Sequence, residues 1–189
     1  MEYNYLAKAV LIGDGGTGKS SLIEQFSNGT FSTSYLMTVG ANFYSEIFEF
    51  GKNGDKLKII FWDLAGQEQF DVVRTQFYMG TMICMAVFDL TRYLTLTNLE
   101  NWFNEMYNSL EESAIPTVII GNKLDLEIER SISDKEATKF VKSLYKKFPG
   151  YKNMEIPYFE TSAKTGENVE KAFRATADLF LKSIKKSAG

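Results

Sequence analysis

Apolar and polar positions along this chain switch between a strand-like and a helix-like period. Apolar stretches of strand length stand at Tyr5 to Ile12, Met82 to Asp89, Thr117 to Gly121 and Pro157 to Glu160, and they read as central strands. Helical spacing takes over between them. Ser133 and Glu136 form a capping-box pattern ahead of Ala137, Phe140, Val141, Leu144, Tyr145 and Phe148, which share one face of a helix. Val169, Ala172, Phe173, Thr176, Ala177 and Phe180 repeat that stripe near the C-terminus, and both stripes are read as core. Strands alternating with helices predict an α/β fold: a mostly parallel sheet with helices on both faces. One exception comes early. Asn42 to Phe50 and Lys56 to Asp63 flank the turn-rich Gly51-Lys52-Asn53-Gly54, so they predict a hairpin and one antiparallel edge strand, which makes six strands in all. No repeat, low-complexity tract or interdomain linker interrupts the pattern, so residues 1–189 are expected to form one domain. Lys146 to Glu155 is a long connection for such a fold.

Composition narrows the class. With 189 residues, 44% apolar, including 15 Phe and 10 Tyr, the chain can bury a full core without a disulfide or metal staple. Its 21 basic and 24 acidic residues show no basic stripe, which argues against nucleic acid as a partner. The longest apolar run, Met82 to Phe88, falls far short of the ~18 residues of a membrane span. Glu2 and the absence of a cleavable apolar leader argue against secretion, and the single cysteine, Cys84, lies inside a strand pattern, so the cytoplasm is expected. The chain has no histidine, which excludes imidazole chemistry and His-ligated metal.

The chemistry-bearing segment is Gly13-Asp14-Gly15-Gly16-Thr17-Gly18-Lys19-Ser20, between the first strand and an apolar-periodic helix that begins Ser21-Leu22-Ile23. Strand, glycine-rich turn and helix in this order form a phosphate cradle. Glycines let the backbone curl closely around an anion, so that successive N–H groups point inward and the helix N-terminus adds partial positive charge. Lys19 would reach the outer phosphates and Ser20 would ligate Mg²⁺.

A base reader stands downstream. Asn122, Lys123 and Asp125 follow the buried strand pattern that Pro116 opens. A carboxylate at Asp125 would accept from two N–H groups of guanine and reject adenine, whose edge does not donate in the same pattern. Asn122 can bond the base and tie loops together, while the Lys123 stem covers the face of the base. Thr161-Ser162-Ala163-Lys164, after the last strand, could offer a backbone N–H to the guanine oxygen.

Together with Thr38-Val39-Gly40 and Trp62-Asp63-Leu64-Ala65-Gly66-Gln67-Glu68, these segments resemble the Ras superfamily of small GTPases over nearly the whole chain. The resemblance implies a P-loop NTPase fold, GTP and GDP as ligands, and Mg²⁺ held by Ser20, by Thr38 in the triphosphate state, and by Asp63 through a water. It implies a phosphate site over Gly15, Gly16, Thr17, Gly18, Lys19, Ser20 and Ser21. Gln67 would orient the attacking water, with Lys19 stabilising charge and the Gly66 amide bonding the γ-phosphate. Phe31 and Tyr35 would lie against the nucleotide, Phe31 edge-on to the guanine, and Asn122, Lys123, Asp125, Ser162, Ala163 and Lys164 would hold the base. Two loops tethered through the γ-phosphate relax on hydrolysis, so partners can read the phosphate state. No arginine of this chain is expected to stabilise the transition state, since Arg74 lies beyond the catalytic segment and Arg92 lies past the strand that follows it. Intrinsic turnover should then be slow, on the order of 10⁻⁴ s⁻¹ as in unassisted relatives.

Within the superfamily the chain is most similar to Rab proteins, through Thr38 to Phe43, Phe77 to Gly80 and Ala86 to Thr91. Asn42, Leu64, Gln69 and Met79 depart from the Rab pattern, on surfaces expected to be read by partners. The resemblance implies an exchange factor, a GTPase-activating protein and effectors, which would read Phe43, Trp62 and Phe77, and a monomeric chain. Membrane contact is expected only through a lipidated tail, which Ser187-Ala188-Gly189 does not supply. Two other readings stay open: a nucleotide-stabilised scaffold that does not hydrolyse, and an unanchored Ras-like GTPase outside the Rab branch.

Overall fold

The computed structural model describes residues 3–32, 38, 40–51, 53–65 and 71–187. In chain order its elements are β1 (Tyr5–Ile12), α1 (Lys19–Asn28), β2 (Ala41–Phe50), β3 (Asp55–Leu64), α2 (Asp71–Tyr78), β4 (Ile83–Asp89), α3 (Tyr93–Ser109), β5 (Thr117–Asn122), α4 (Asp134–Lys147), β6 (Tyr158–Thr161) and α5 (Val169–Ser187). The six strands form one sheet in the order β2-β3-β1-β4-β5-β6. Only the hairpin pair β2·β3 is antiparallel, with Phe43 opposite Trp62; the other pairs are parallel.

Each central strand feeds two cores by simple alternation. Ala7, Ala9 and Leu11 of β1, Ile83, Met85 and Val87 of β4, and Val118 and Ile120 of β5 face α1 and α5, where Leu22, Ile23, Phe173 and Ala177 complete one apolar layer. Val10 and Ile12, Cys84, Ala86 and Phe88, and Ile119 face the other way, toward Leu99, Phe103 and Met106 of α3 and Val141 and Leu144 of α4. Strands covered on both faces explain why β4 is apolar up to its last residue, Asp89, and why β5 is apolar between Thr117 and Asn122 at its two ends. α4 starts on a complete capping box between Ser133 and Glu136. The long connection after α4 is accounted for by a short helical turn, Pro149–Tyr151, whose fully buried Tyr151 packs against Phe103, Tyr107 and Phe148 and bonds Thr117 at 3.0 Å. It fills the gap between α3 and α4 that a shorter link would leave open.

Candidate nucleotide and metal site

Parallel pairing of β1 with β3 and β4, and of β5 with β4 and β6, brings the C-terminal ends of these strands to one edge of the sheet. The loops that leave this edge meet there, which is where open α/β sheets bind ligands.

The loop after β1 is built as a cradle. Gly13, Gly16 and Gly18 all have positive φ, at 132°, 73° and 94°. Two of them have no room for a side chain: a Cβ on Gly13 would meet the Val87 carbonyl oxygen at 2.0 Å and one on Gly18 the Asn122 Nδ2 at 2.2 Å. Lys19 is buried, and its Nζ donates to the carbonyls of Gly13 at 2.7 Å and Asp14 at 3.1 Å, so the ammonium lies folded inside the loop. Among the described residues no side chain caps α1, and its first turn holds no acidic residue, which leaves that end electropositive. Ser20 and Ser21 are half-buried in that first turn.

Ser20, Thr38 and Asp63 converge from three separate elements. The Ser20 hydroxyl donates to Asp63 Oδ2 and lies 3.1 Å from Thr38 Oγ1, and Thr38 Oγ1 in turn is 3.4 Å from the same carboxylate. Burial holds the Asp63 carboxyl above its usual range, against the opposing pull of Lys19, Ser20 and Thr38. Its Oδ1 is buried with no hydrogen-bond partner among the described residues. An unpartnered buried carboxylate oxygen beside two hydroxyls is an all-oxygen donor set, and it suits a hard divalent cation such as Mg²⁺.

Asn122 staples three loops. Its Nδ2 donates to the Thr17 carbonyl at 2.9 Å, and its Oδ1 accepts from the Ala163 N–H at 3.1 Å and from Thr161 Oγ1 at 3.2 Å. Of the N–H groups in Thr161 to Lys164, one of which was expected to meet the guanine oxygen, that of Ala163 is engaged with Asn122. Asp125 accepts from Ser162 Oγ at 2.6 Å and faces the exposed Lys164 ammonium at 3.9 Å. Lys123 adopts a left-handed φ of 72° and pairs with the fully buried Asp89 at 2.7 Å. Phe31, in the loop after α1, is 39% exposed. Tyr35, Gly66, Gln67 and Gln69 lie outside the described residues.

The expectation for Leu64 needs correction, and Arg92 lies closer to the phosphate loop than its place in the sequence suggests. Arg92 is far from the phosphate loop in sequence but not in space: its Nη2 donates to the Gly15 carbonyl at 3.1 Å. Because β1 and β4 are adjacent and parallel, with Ile12 opposite Ala86, the residues after one strand fall beside those after the other. Leu64 was expected on a surface that partners read, yet it is fully buried in the α3 and α4 core. It ends β3, on the face of the sheet that packs on α3 and α4. Asn42 and Met79, by contrast, are exposed.

Phe43, Trp62 and Phe77 do form one cluster, with ring centroids 4.5 Å and 5.7 Å apart in succession. Phe43 is exposed, while Trp62 and Phe77 are half-buried against the core, and the Lys8 ammonium sits 3.7 Å from the Trp62 ring centroid.

Sequence reasoning missed the residues that hold this site from behind. Asp14 accepts from Asn98 Nδ2 and from Trp102 Nε1, each at 2.8 Å, which docks the cradle on α3. Arg130 makes a two-pronged pair with Glu160, just before the Ser162 loop, and Tyr158 OH donates to the same carboxylate at 2.8 Å. Apart from Tyr158 and Glu160, which are two residues apart on β6, these partners lie tens of residues apart and carry no local signature.

A model of the Ras family matches residues 8–182. The Ras-related protein Rab-13 of Canis lupus familiaris is 35% identical, covering 99% of this chain and 86% of its own. The Ras-related protein Rab7 of Pisum sativum is 38% identical, and RABG3f of Arabidopsis thaliana is 39% identical; each covers 94% of this chain and 84% of its own.

Proposed function

The chain belongs to the Ras family and is Rab-like, a GTP-binding switch that hydrolyses GTP, and from that premise we propose which residues carry its chemistry. Such proteins bind GTP and GDP with Mg²⁺, act in membrane traffic, and are acted on by regulators and read by effectors. Asp125, steadied by Ser162, accepts from the guanine N–H groups. Asn122 fixes the distance between base loop and phosphate loop. Lys19 turns from the loop carbonyls to the outer phosphates. Ser20, Thr38 and Asp63 would hold Mg²⁺, which when bound supplies charge neutralisation on the phosphate oxygens. Gln67 orients the attacking water, and the Gly66 amide bonds the γ-phosphate.

The observation that carries this reading is the Asn122 bond to the Thr17 carbonyl, which joins a phosphate cradle and a base-reading loop into one site. The phosphate loop alone does not distinguish GTP from another triphosphate, and the base loop alone does not hold the phosphates. The state of the switch is read at the Phe43, Trp62 and Phe77 cluster, and an activating protein supplies the transition-state charge that the described residues do not place at the γ-phosphate. The test is phosphate release from purified protein over several hours with GTP or ATP, with and without Mg²⁺. Slow release with GTP and Mg²⁺ alone is expected. Equal turnover of ATP would overturn the base assignment, and tight GTP binding without any release would favour the non-hydrolysing scaffold.

A further inference from the structure

Arg92 occupies a position that nothing in the phosphate chemistry above uses. It stands just before α3, and its side chain is 45% exposed. Its Nε donates to Asp89 Oδ2 at 2.8 Å and its Nη2 to the Gly15 carbonyl at 3.1 Å. A guanidinium is planar and rigid, so two bonds from different nitrogens fix its plane as well as its position. Asp89 is an unusually firm post for it. That carboxylate is fully buried and accepts from the Thr91 N–H at 2.9 Å, Thr91 Oγ1 at 2.7 Å and Lys123 Nζ at 2.7 Å as well as from Arg92.

The carbonyl that Arg92 holds belongs to the peptide between Gly15 and Gly16. Neither residue has a side chain to resist rotation of that peptide, and Gly16 already stands at φ 73°. In a planar trans peptide the C=O and the following N–H point in opposite directions. A carbonyl tied outward to Arg92 therefore turns the Gly16 N–H to the other side of the loop, the concave side into which Lys19 folds. We propose that Arg92 is a positioning residue for the phosphate loop: by clamping the Gly15 carbonyl to Asp89 it aims the Gly16 N–H at the bound phosphates. The same buried carboxylate anchors Lys123, so the base loop and the phosphate loop share one support. This inference rests on the reading of Gly13 to Ser20 as the phosphate cradle.

The test uses the whole chain loaded with GDP and Mg²⁺, comparing wild type with Arg92→Ala and Arg92→Lys. Arg92→Ala should release GDP about tenfold faster. Its Gly16 amide should lose protection from hydrogen exchange while helix α4, remote from the site, keeps its own. Arg92→Lys should not restore either property, because one ammonium on a flexible stem does not hold Asp89 and Gly15 in a fixed plane. The proposal is overturned if Arg92→Ala leaves GDP release unchanged, if release quickens with the Gly16 amide still protected, or if Arg92→Lys behaves as wild type. Failure of the wild-type chain to retain GDP would instead overturn the phosphate-cradle reading itself.

Discussion

Replacing Asn122 with Ala tests whether one side chain joins the two halves of the site. The substitution removes three hydrogen bonds, at 2.9, 3.1 and 3.2 Å, from partners that are themselves buried: the Thr17 carbonyl, the Ala163 N–H and the Thr161 hydroxyl. At about 1 kcal/mol net for each bond, the loss is about 3 kcal/mol, and it grows if no water enters to satisfy the stranded groups. For a chain of this size that corresponds to a fall in Tm of about 6–12 °C. Thr161→Val deletes only one of the bonds and should cost about 1 kcal/mol. Because the two residues share that bond, the double variant should be less destabilised than the sum of the singles by about 1 kcal/mol. GDP stabilises the folded state by mass action, so denaturant unfolding must be followed at several free GDP concentrations and extrapolated to none. A loss below about 1 kcal/mol for Asn122→Ala, or strict additivity in the double variant, would refute the staple. Gly18→Ala should damage the same joint from the other side, since its Cβ would stand 2.2 Å from Asn122 Nδ2 on a backbone at φ 94°.

Four further outcomes are expected. Asp125→Asn should lose about 2–4 kcal/mol of guanine nucleotide affinity and gain affinity for xanthine nucleotides, whose oxygen accepts from an amide; a titration showing unchanged GDP affinity would remove Asp125 from the base site. Gln67→Leu should bind GTP normally and hydrolyse it more slowly in single-turnover assays, and a wild-type rate would move the water-positioning role elsewhere. At Asp89 and Glu160 burial raises the carboxyl pKa, but hydrogen bonds from Lys123, Thr91 and Arg92 at the first, and from Arg130 and Tyr158 at the second, outweigh it and hold both below their ordinary values of 3.8 and 4.5. Their stabilisation is therefore present above those values and lost as pH falls through the lower folded ones, so Glu160→Gln should flatten the acid limb of an unfolding curve measured from pH 5 downward; an unchanged limb would contradict the pairing. Phe43→Ala, at a ring 57% exposed, should leave Tm and nucleotide affinity nearly unchanged while weakening GTP-dependent effector capture by about 2 kcal/mol, and a large fall in Tm would show a core residue instead. Phe77→Ala is a poorer probe of the same surface because Phe77 packs partly against the core.

The elements that local pattern determines were legible. Hydrophobic period and turn chemistry located all six strands, the hairpin and the capping box of α4, with boundaries displaced by a residue at the ends of β2 to β6. The glycines of the cradle were legible for the same reason. Their positive φ is a property of a few consecutive residues, whereas the close approach of Gly13 to Val87 and of Gly18 to Asn122 is made across the sheet. So was the convergence of Ser20, Thr38 and Asp63, because recurring spacing in a related family records a tertiary arrangement even where single residues do not.

What local pattern leaves out is the set of contacts made across the sheet. Asp14 meets Asn98 and Trp102 from more than eighty residues away, and Arg92 meets Gly15 from seventy-seven. Once β1 and β4 are known to be parallel neighbours, however, Arg92 has only the far end of β1 to reach, since a side chain leaving the end of one strand stands beside the loop leaving the end of the next. Leu64 illustrates the converse. Its sequence neighbours Trp62 and Asp63 suggest a functional position, yet alternation along β3 puts Leu64 on the face of Trp62, where Trp62 is half-buried and Leu64, at the strand's end, is fully buried against the α3 and α4 core. Its departure from the Rab pattern is thus a matter of packing, whereas Asn42 and Met79 are exposed, so that of these three departures only theirs change the surface of the chain.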